Sequence, residues 1–239
     1  PQPPVVDDAA AYDVQARQLA FERGFLSAWT GDTPLSKGPV YPMMLAAIYR
    51  VAGHDYPAVR LVQALVSAAS VGLVYALAGL VFNRPVARMA GLLAAVYPPF
   101  ISYPGWLLTE TLSVFLLLLF AVLIVRGMQK DGIVPWSAAG GIAGVLILHR
   151  GEMVAVVAVA LLALWWWRVR WRRIGLFVLM LSLTILPWAV RSSLTFHQVA
   201  LGAPSSGMQL WLSTVDLQGR PEWDPSATHM RTYRTLVAD

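Results

Sequence analysis

The chain has 239 residues, 57% of them hydrophobic and 13% charged, with a net charge of +5 and no cysteine. A mean hydropathy of +0.59 and a charge content about half the roughly 25% usual in soluble domains exclude an ordinary soluble globule and point to an integral membrane protein. The positive balance calls for no nucleic acid, and a chain without cysteine has neither disulfides nor thiolate metal sites.

Residues 1–57 precede the first long apolar run. Asp7 and Asp8 open a stretch, Ala9 to Glu22, in which Tyr12, Ala16, Leu19 and Ala20 recur at helical spacing. That pattern predicts an amphipathic helix lying at the membrane surface. An Asp ahead of a helix suits capping and the positive end of the dipole, and the same carboxylate can serve as a base. Further on, Lys37 lies in "PLSKGPVYPMML". Pro39 and Pro42 predict a stiff, extended path before an apolar helix, Met43–Ala52. Lys37 reads either as a side chain snorkelling to the surface or as a point charge for a phosphate.

Six apolar runs follow: about Ala58–Phe82, Arg88–Ala95 continuing toward Tyr103, Trp106–Val125, Pro135–Leu148, Met153–Trp167 and Gly175–Val190. Only the first and third comfortably reach the roughly 20 residues that a bilayer core demands of a helix. Arg84 and Arg88, then Arg126 and Lys130, then Arg168, Arg170, Arg172 and Arg173 fill every second connection. Basic loops face the cytoplasm, so residues 1–57, the Pro98–Pro104 turn, the His149–Glu152 turn and the tail from 191 to 239 are expected on the opposite, outer face. The short runs broken by Pro98–Pro99 and by "HRGE" need protein or a polar cavity beside them, which predicts a wet, charged recess in the outer half of the bundle.

The outer face collects Asp7, Asp8, Asp13, Lys37, Glu110, His149, Arg150, Glu152 and Arg191. Acids and bases on one side fit chemistry that deprotonates a hydroxyl and stabilises an anionic leaving group. Glu110, read as four residues into the third span, is costly there unless it is paired or faces water; its alternative is an ion pair with Arg150 or Arg191. Arg150 is suited to bidentate contact with a phosphate. His149 reads as a hydrogen-bonded structural residue or a ligand, and no HxH or HExxH spacing supports a metal. Arg191 either anchors the last span at the interface or binds an anionic headgroup. No nucleotide-cradling or serine-hydrolase motif is present.

Together, "DDAAAYDVQARQLAFERGF", "KGPVYPMMLAAIYRVAG", "AVYPPFISYPGWLLTETL", "GVLILHRGE" and "LPWAVRSSLTF" resemble, in order, the GT-C polytopic glycosyltransferases of the protein-mannosyltransferase and aminoarabinose-transferase type. The resemblance implies an all-α membrane protein, a GT-C-like helical bundle with amphipathic loop helices on its outer face. It also implies an inverting transferase that takes sugar from a polyprenyl-phosphate donor in a bacterial inner membrane, with a protein, lipid or glycan as acceptor.

In that resemblance Asp8, set four residues before Tyr12, is the catalytic base and Asp7 its fallback. Lys37 and Arg150 attend the lipid phosphate, and Tyr12, Glu110, His149 and Arg191 line the substrate site. Where the aminoarabinose branch commonly carries a Glu before the Lys, this chain has Ser36, which removes that Glu from any metal site and leaves a divalent metal open. His149 and Gly151 stand where Thr and Pro are usual. Members of the family have a membrane helix before the acidic loop and further spans after the last, so the chain is expected to be a fragment. The alternative is a non-catalytic GT-C-like membrane subunit that binds partners in a larger complex.

Overall fold

A computed structural model describes residues 8–22, 38–130 and 132–196, and the described residues are helical with no strand. Asp7 and Lys37 lie outside the described residues, and Asp8 is described in its backbone alone. Helix α1, Asp8–Arg17, widens into a π-helical turn over Gln18–Glu22. Tyr12, Ala16, Leu19 and Ala20 are all buried, as the helical spacing predicts.

Helix α2, Val40–Ala52, packs against α1 through Tyr41, Leu45, Ala46 and Tyr49. Here the expectation of an extended path fails. Pro39 has φ −72° and ψ −24°, and Pro42 lies inside the first turn of α2. The first turn of a helix leaves its N–H groups without intrahelical partners, so a proline there forfeits nothing and its fixed φ suits the helix.

Six legs then run back and forth: α3, Tyr56–Val81; α4, Arg84–Val96, continued by the short α5, Pro98–Ser102; α6, Glu110–Gln129; α7, Ile133–His149; α8, Met153–Trp166; and α9, Trp171–Phe196. Their directions follow from single contacts. Gln63 near the start of α3 bonds the carbonyl of Trp106, just before α6, while Gln129 at the end of α6 bonds the carbonyl of Leu80 near the end of α3. These two helices therefore run parallel. Helices α7 and α9 are parallel as well, because a Cβ on Gly140 would strike the Phe177 backbone and one on Gly144 would strike the Thr184 side chain. Small residues let the two backbones close up, the usual device where lipid removes the hydrophobic incentive to associate.

The alternation gives one end to residues 82–83, the end of α6, the start of α7 and residues 167–170, and the other to residues 97–109 and 150–152. Helices α3, α6 and α9 are long and apolar enough to cross a bilayer, with 11%, 33% and 11% of their most apolar windows buried within the protein. Most of that apolar surface faces outward, as lipid contact requires. The third long helix was not expected. The last run extends in both directions because the flanking arginines join the helix, which keeps Pro187 inside it, passes residue 191 and reaches Phe196. Among the described residues, then, the chain is an all-α membrane protein.

Helix α8 ends in a tight C-cap. The N–H of Val169 donates to Leu164 O at 3.1 Å and that of Arg168 to Trp165 O at 3.0 Å, the paired bonds of a Schellman motif, with buried Leu164 and partly buried Val169 supplying its apolar contact. The position that normally holds Gly holds Arg168, at φ 53°. A left-handed backbone costs a residue with a Cβ roughly 1–2 kcal/mol.

Candidate functional site

One end of the bundle is assembled from α1, α2, the start of α3, the approach to α6 and the end of α7. Tyr12 stands edge-on to Tyr41 with ring centroids 5.0 Å apart. Tyr41 in turn lies 6.4 Å from the ring of His149, and its hydroxyl donates to Gln63 Oε1 at 3.2 Å. Gln63, 1% exposed, donates through Nε2 to the carbonyls of Trp106 (2.9 Å) and Pro104 (3.3 Å). A buried amide in an apolar helix needs such partners, and here they fix the loop that leads into α6.

That loop relocates Glu110. It is the first residue of α6, not four residues inside a span, because Tyr103–Gly105 form a 3-10 turn and Trp106 is extended. A carboxylate in the first turn is favoured by the helix dipole. Glu110 Oε1 lies 3.7 Å from Arg150 Nη1, and Arg150 Nε lies 2.7 Å from Glu152 Oε1. The pair expected as one of two alternatives is therefore with Arg150. Both side chains are about a third exposed (34% and 38%), so water screens them and the link is worth little as a brace. Glu110 Oε2 is buried without a partner among the described residues.

His149, 3% exposed, ends α7. Its Nε2 is 3.2 Å from Thr109 O and 2.9 Å from Ser113 Oγ. A carbonyl only accepts, so the proton is assigned to Nε2, and Nδ1 is left as a buried acceptor with no partner among the described residues. This histidine locks α7 to the entry of α6. Immediately beyond it, a Cβ on Gly38 would collide with the carbonyl oxygens of Leu148 and His149. The chain one residue after Lys37 thus runs against the end of α7, next to Arg150. Arg191, 5% exposed, lies with its guanidinium 4.6 Å from the Trp188 ring centroid. The parallel course of α7 and α9 brings it to the same end as Arg150.

Beside these groups is a recess of about 170 Å³ lined by Ser67, Ser70, Tyr97, Phe100, Glu110 and Thr111, among others. Glu110 is its one carboxylate, and its walls are largely aromatic and aliphatic. Arg150 is engaged by two carboxylates and Arg191 lies over Trp188 within α9. No group of three or more His, Asp or Glu side chains gathers among the described residues.

One cluster had no signal as such in the sequence. Asp13, 6% exposed, accepts from Tyr49 Oη at 2.6 Å, contacts His54 Nε2 at 2.9 Å and pairs with Arg17 Nε at 3.3 Å. Together with Arg50 Nε donating to Ala20 O at 3.0 Å, it fastens α1 to α2. Burial, and then the bond to Asp13, push the Tyr49 phenol well above its ordinary range.

No curated protein and no solved structure matches the chain. The pattern of the dolichyl-phosphate-mannose-protein mannosyltransferases does match, over residues 36–190. The matched stretch runs from just before Lys37 through Glu110, His149 and Arg150 and stops short of Arg191; α1 precedes it. Because it covers well over half of an all-helical membrane chain, the chain belongs to the dolichyl-phosphate-mannose-protein mannosyltransferase family, glycosyltransferases of the GT-C type.

Proposed function

We propose that the chain moves a sugar from a polyprenyl-phosphate donor to a hydroxyl of a protein, lipid or glycan acceptor, on the non-cytoplasmic face of a bacterial inner membrane. The observation that supports this most is a convergence. The turn of α1 that follows Asp8, the residue that follows Lys37 and the Glu110–Arg150 pair all meet around Tyr41 and His149 at one end of the bundle. Asp8, or Asp7 beside it, takes the proton of the acceptor hydroxyl as its oxygen attacks the anomeric carbon. The bond from that carbon to the phosphate oxygen breaks on the opposite side, so the configuration inverts and polyprenyl phosphate leaves. Lys37 and Arg150 offset the charge that grows on the phosphate. Tyr12, His149 and Arg191 shape the pocket around the sugar and headgroup, and Glu110 aims Arg150. No step is routed through a metal.

The reading is tested by transfer assays on purified protein with a polyprenyl-phosphate sugar. Loss of a general base typically costs about 10²–10⁴-fold in rate, so Asp8→Asn should lower transfer by that order with an unchanged melting temperature. Lys37→Ala should weaken donor binding. Normal transfer by Asp8→Asn overturns the base. If the wild-type protein transfers to no acceptor and co-purifies at fixed stoichiometry with other membrane proteins, the alternative of a non-catalytic subunit takes its place.

A further inference from the structure

The opposite end of the molecule carries a feature that sugar transfer does not use. "WWWRVRWRR", residues 165–173, spans the turn from α8 to α9. Trp165, Trp166, Trp167 and Trp171 are 72%, 78%, 60% and 79% exposed. Arg168, Arg170 and Arg172 are exposed as well, and Arg173 is half-buried. No acidic residue occurs between Glu152 and Asp216, so this stretch of the chain is purely cationic. The parallel contacts of α7 with α9 and of α3 with α6 put the turn at the same end as Arg84, Arg88, Arg126 and Lys130.

We propose that the α8–α9 turn binds the phosphodiester headgroups of anionic phospholipids in the leaflet at this end. Four indoles exposed to this degree are unfavourable in water, whereas the bilayer interface accommodates their rings and their N–H groups together. Interleaved with them, guanidinium groups fit phosphate oxygens bidentately and keep their charge. The turn itself shows where charge was preferred to comfort. Its left-handed position is the one glycine would fill without strain, and it is occupied by Arg168. That substitution has no packing explanation, since Arg168 is exposed, and it sets a cation at the apex of the turn between Trp167 and Val169. Neutral zwitterionic headgroups satisfy the indoles but not the arginines, so the surface discriminates by charge. This holds whichever donor and acceptor the outer end takes.

The test is native mass spectrometry of the full chain titrated with phosphatidylglycerol or phosphatidylcholine, alongside thermal unfolding in mixed micelles. Each arginine near an anionic surface contributes roughly fivefold in binding. Wild type should hold phosphatidylglycerol at least tenfold more tightly than phosphatidylcholine, and about 1 M salt, where the Debye length falls to about 3 Å, should erase the difference. The combined variant R168Q/R170Q/R172Q/R173Q should lose the preference.

Because removing four charges can disturb insertion, Arg168→Gly is the second variant. It relaxes the backbone, so it should unfold in phosphatidylcholine no earlier than wild type while binding phosphatidylglycerol about fivefold more weakly. Equal binding of the two lipids by wild type, or an undiminished preference in Arg168→Gly and in the combined variant, overturns the proposal. Competition by millimolar inorganic phosphate overturns the assignment to lipid.

Discussion

Asp13 is the side chain on which the attachment of α1 to α2 turns, and Tyr49 is its shortest partner. Removing the phenol oxygen deprives a buried carboxylate of one donor while His54 and Arg17 remain. Tyr49→Phe should therefore cost about 1–2 kcal/mol, read as a lower unfolding midpoint in detergent. The same residue sets an alkaline limit. Its phenol titrates above the ordinary value near 10, so the folded protein holds the proton when the unfolded chain has already released it. The stabilisation is complete below about pH 10 and fades as pH climbs toward the folded value. Stability should thus fall above pH 10, and Tyr49→Phe should make that fall shallower without abolishing it, because buried Tyr41 is displaced upward too. The sequence advertises Asp13 only as one more outer-face acid. Arg17 is a local i,i+4 partner, but Tyr49 and His54 lie 36 and 41 residues away, a separation that no local pattern encodes. Gln63 was legible in principle, since an amide inside an apolar run must find partners.

Among the elements, α7 and α9 are fitted most closely. Gly140→Ala would push a methyl into the Phe177 backbone, a contact with no flexible side chain to yield, whereas the neighbouring Gly141 has only Thr184 Oγ1 at 4.0 Å from the same methyl position. Overpacking of this kind costs about 1–3 kcal/mol. Gly140→Ala should therefore lower the melting temperature measurably and Gly141→Ala should leave it nearly unchanged; equal behaviour would contradict the helix pairing. Helix positions were read well from apolar runs, and the buried face of α1 from its spacing. Boundaries were not. Pro42 looks like a breaker but sits where a helix tolerates it, Glu110 opens its helix because the chain before it turns twice, and α9 runs on past both ends of the apolar run read for it.

At the scale of the whole molecule, charge is segregated by end. Arginine and lysine mark the turns at one end, while Asp13, Glu110 and Glu152 with the cations they pair gather at the other. The positive end should face the cytoplasm. The chain has no native cysteine, so single substitutions report directly: with a membrane-impermeant maleimide on intact cells, Ser102→Cys should react and Arg84→Cys should react only after permeabilisation. Six alternating legs were legible because basic loops recur at every second connection. The recess was not, since its walls come from α3, α5 and α6 and its apolar character depends on which faces those helices turn inward.

The glycine-fitted union of α7 and α9 has a mechanical corollary. Arg150 just past one rod and Arg191 on the other cannot drift apart, so together they make the stationary jaw of a vice. The opposing jaw, α1 clasped to α2, meets α3 and α7 over a much smaller area. Any opening that admits a bulky sugar should then come from the α1–α2 clasp swinging as one piece, with Gly38 as the point where it bears against the fixed side.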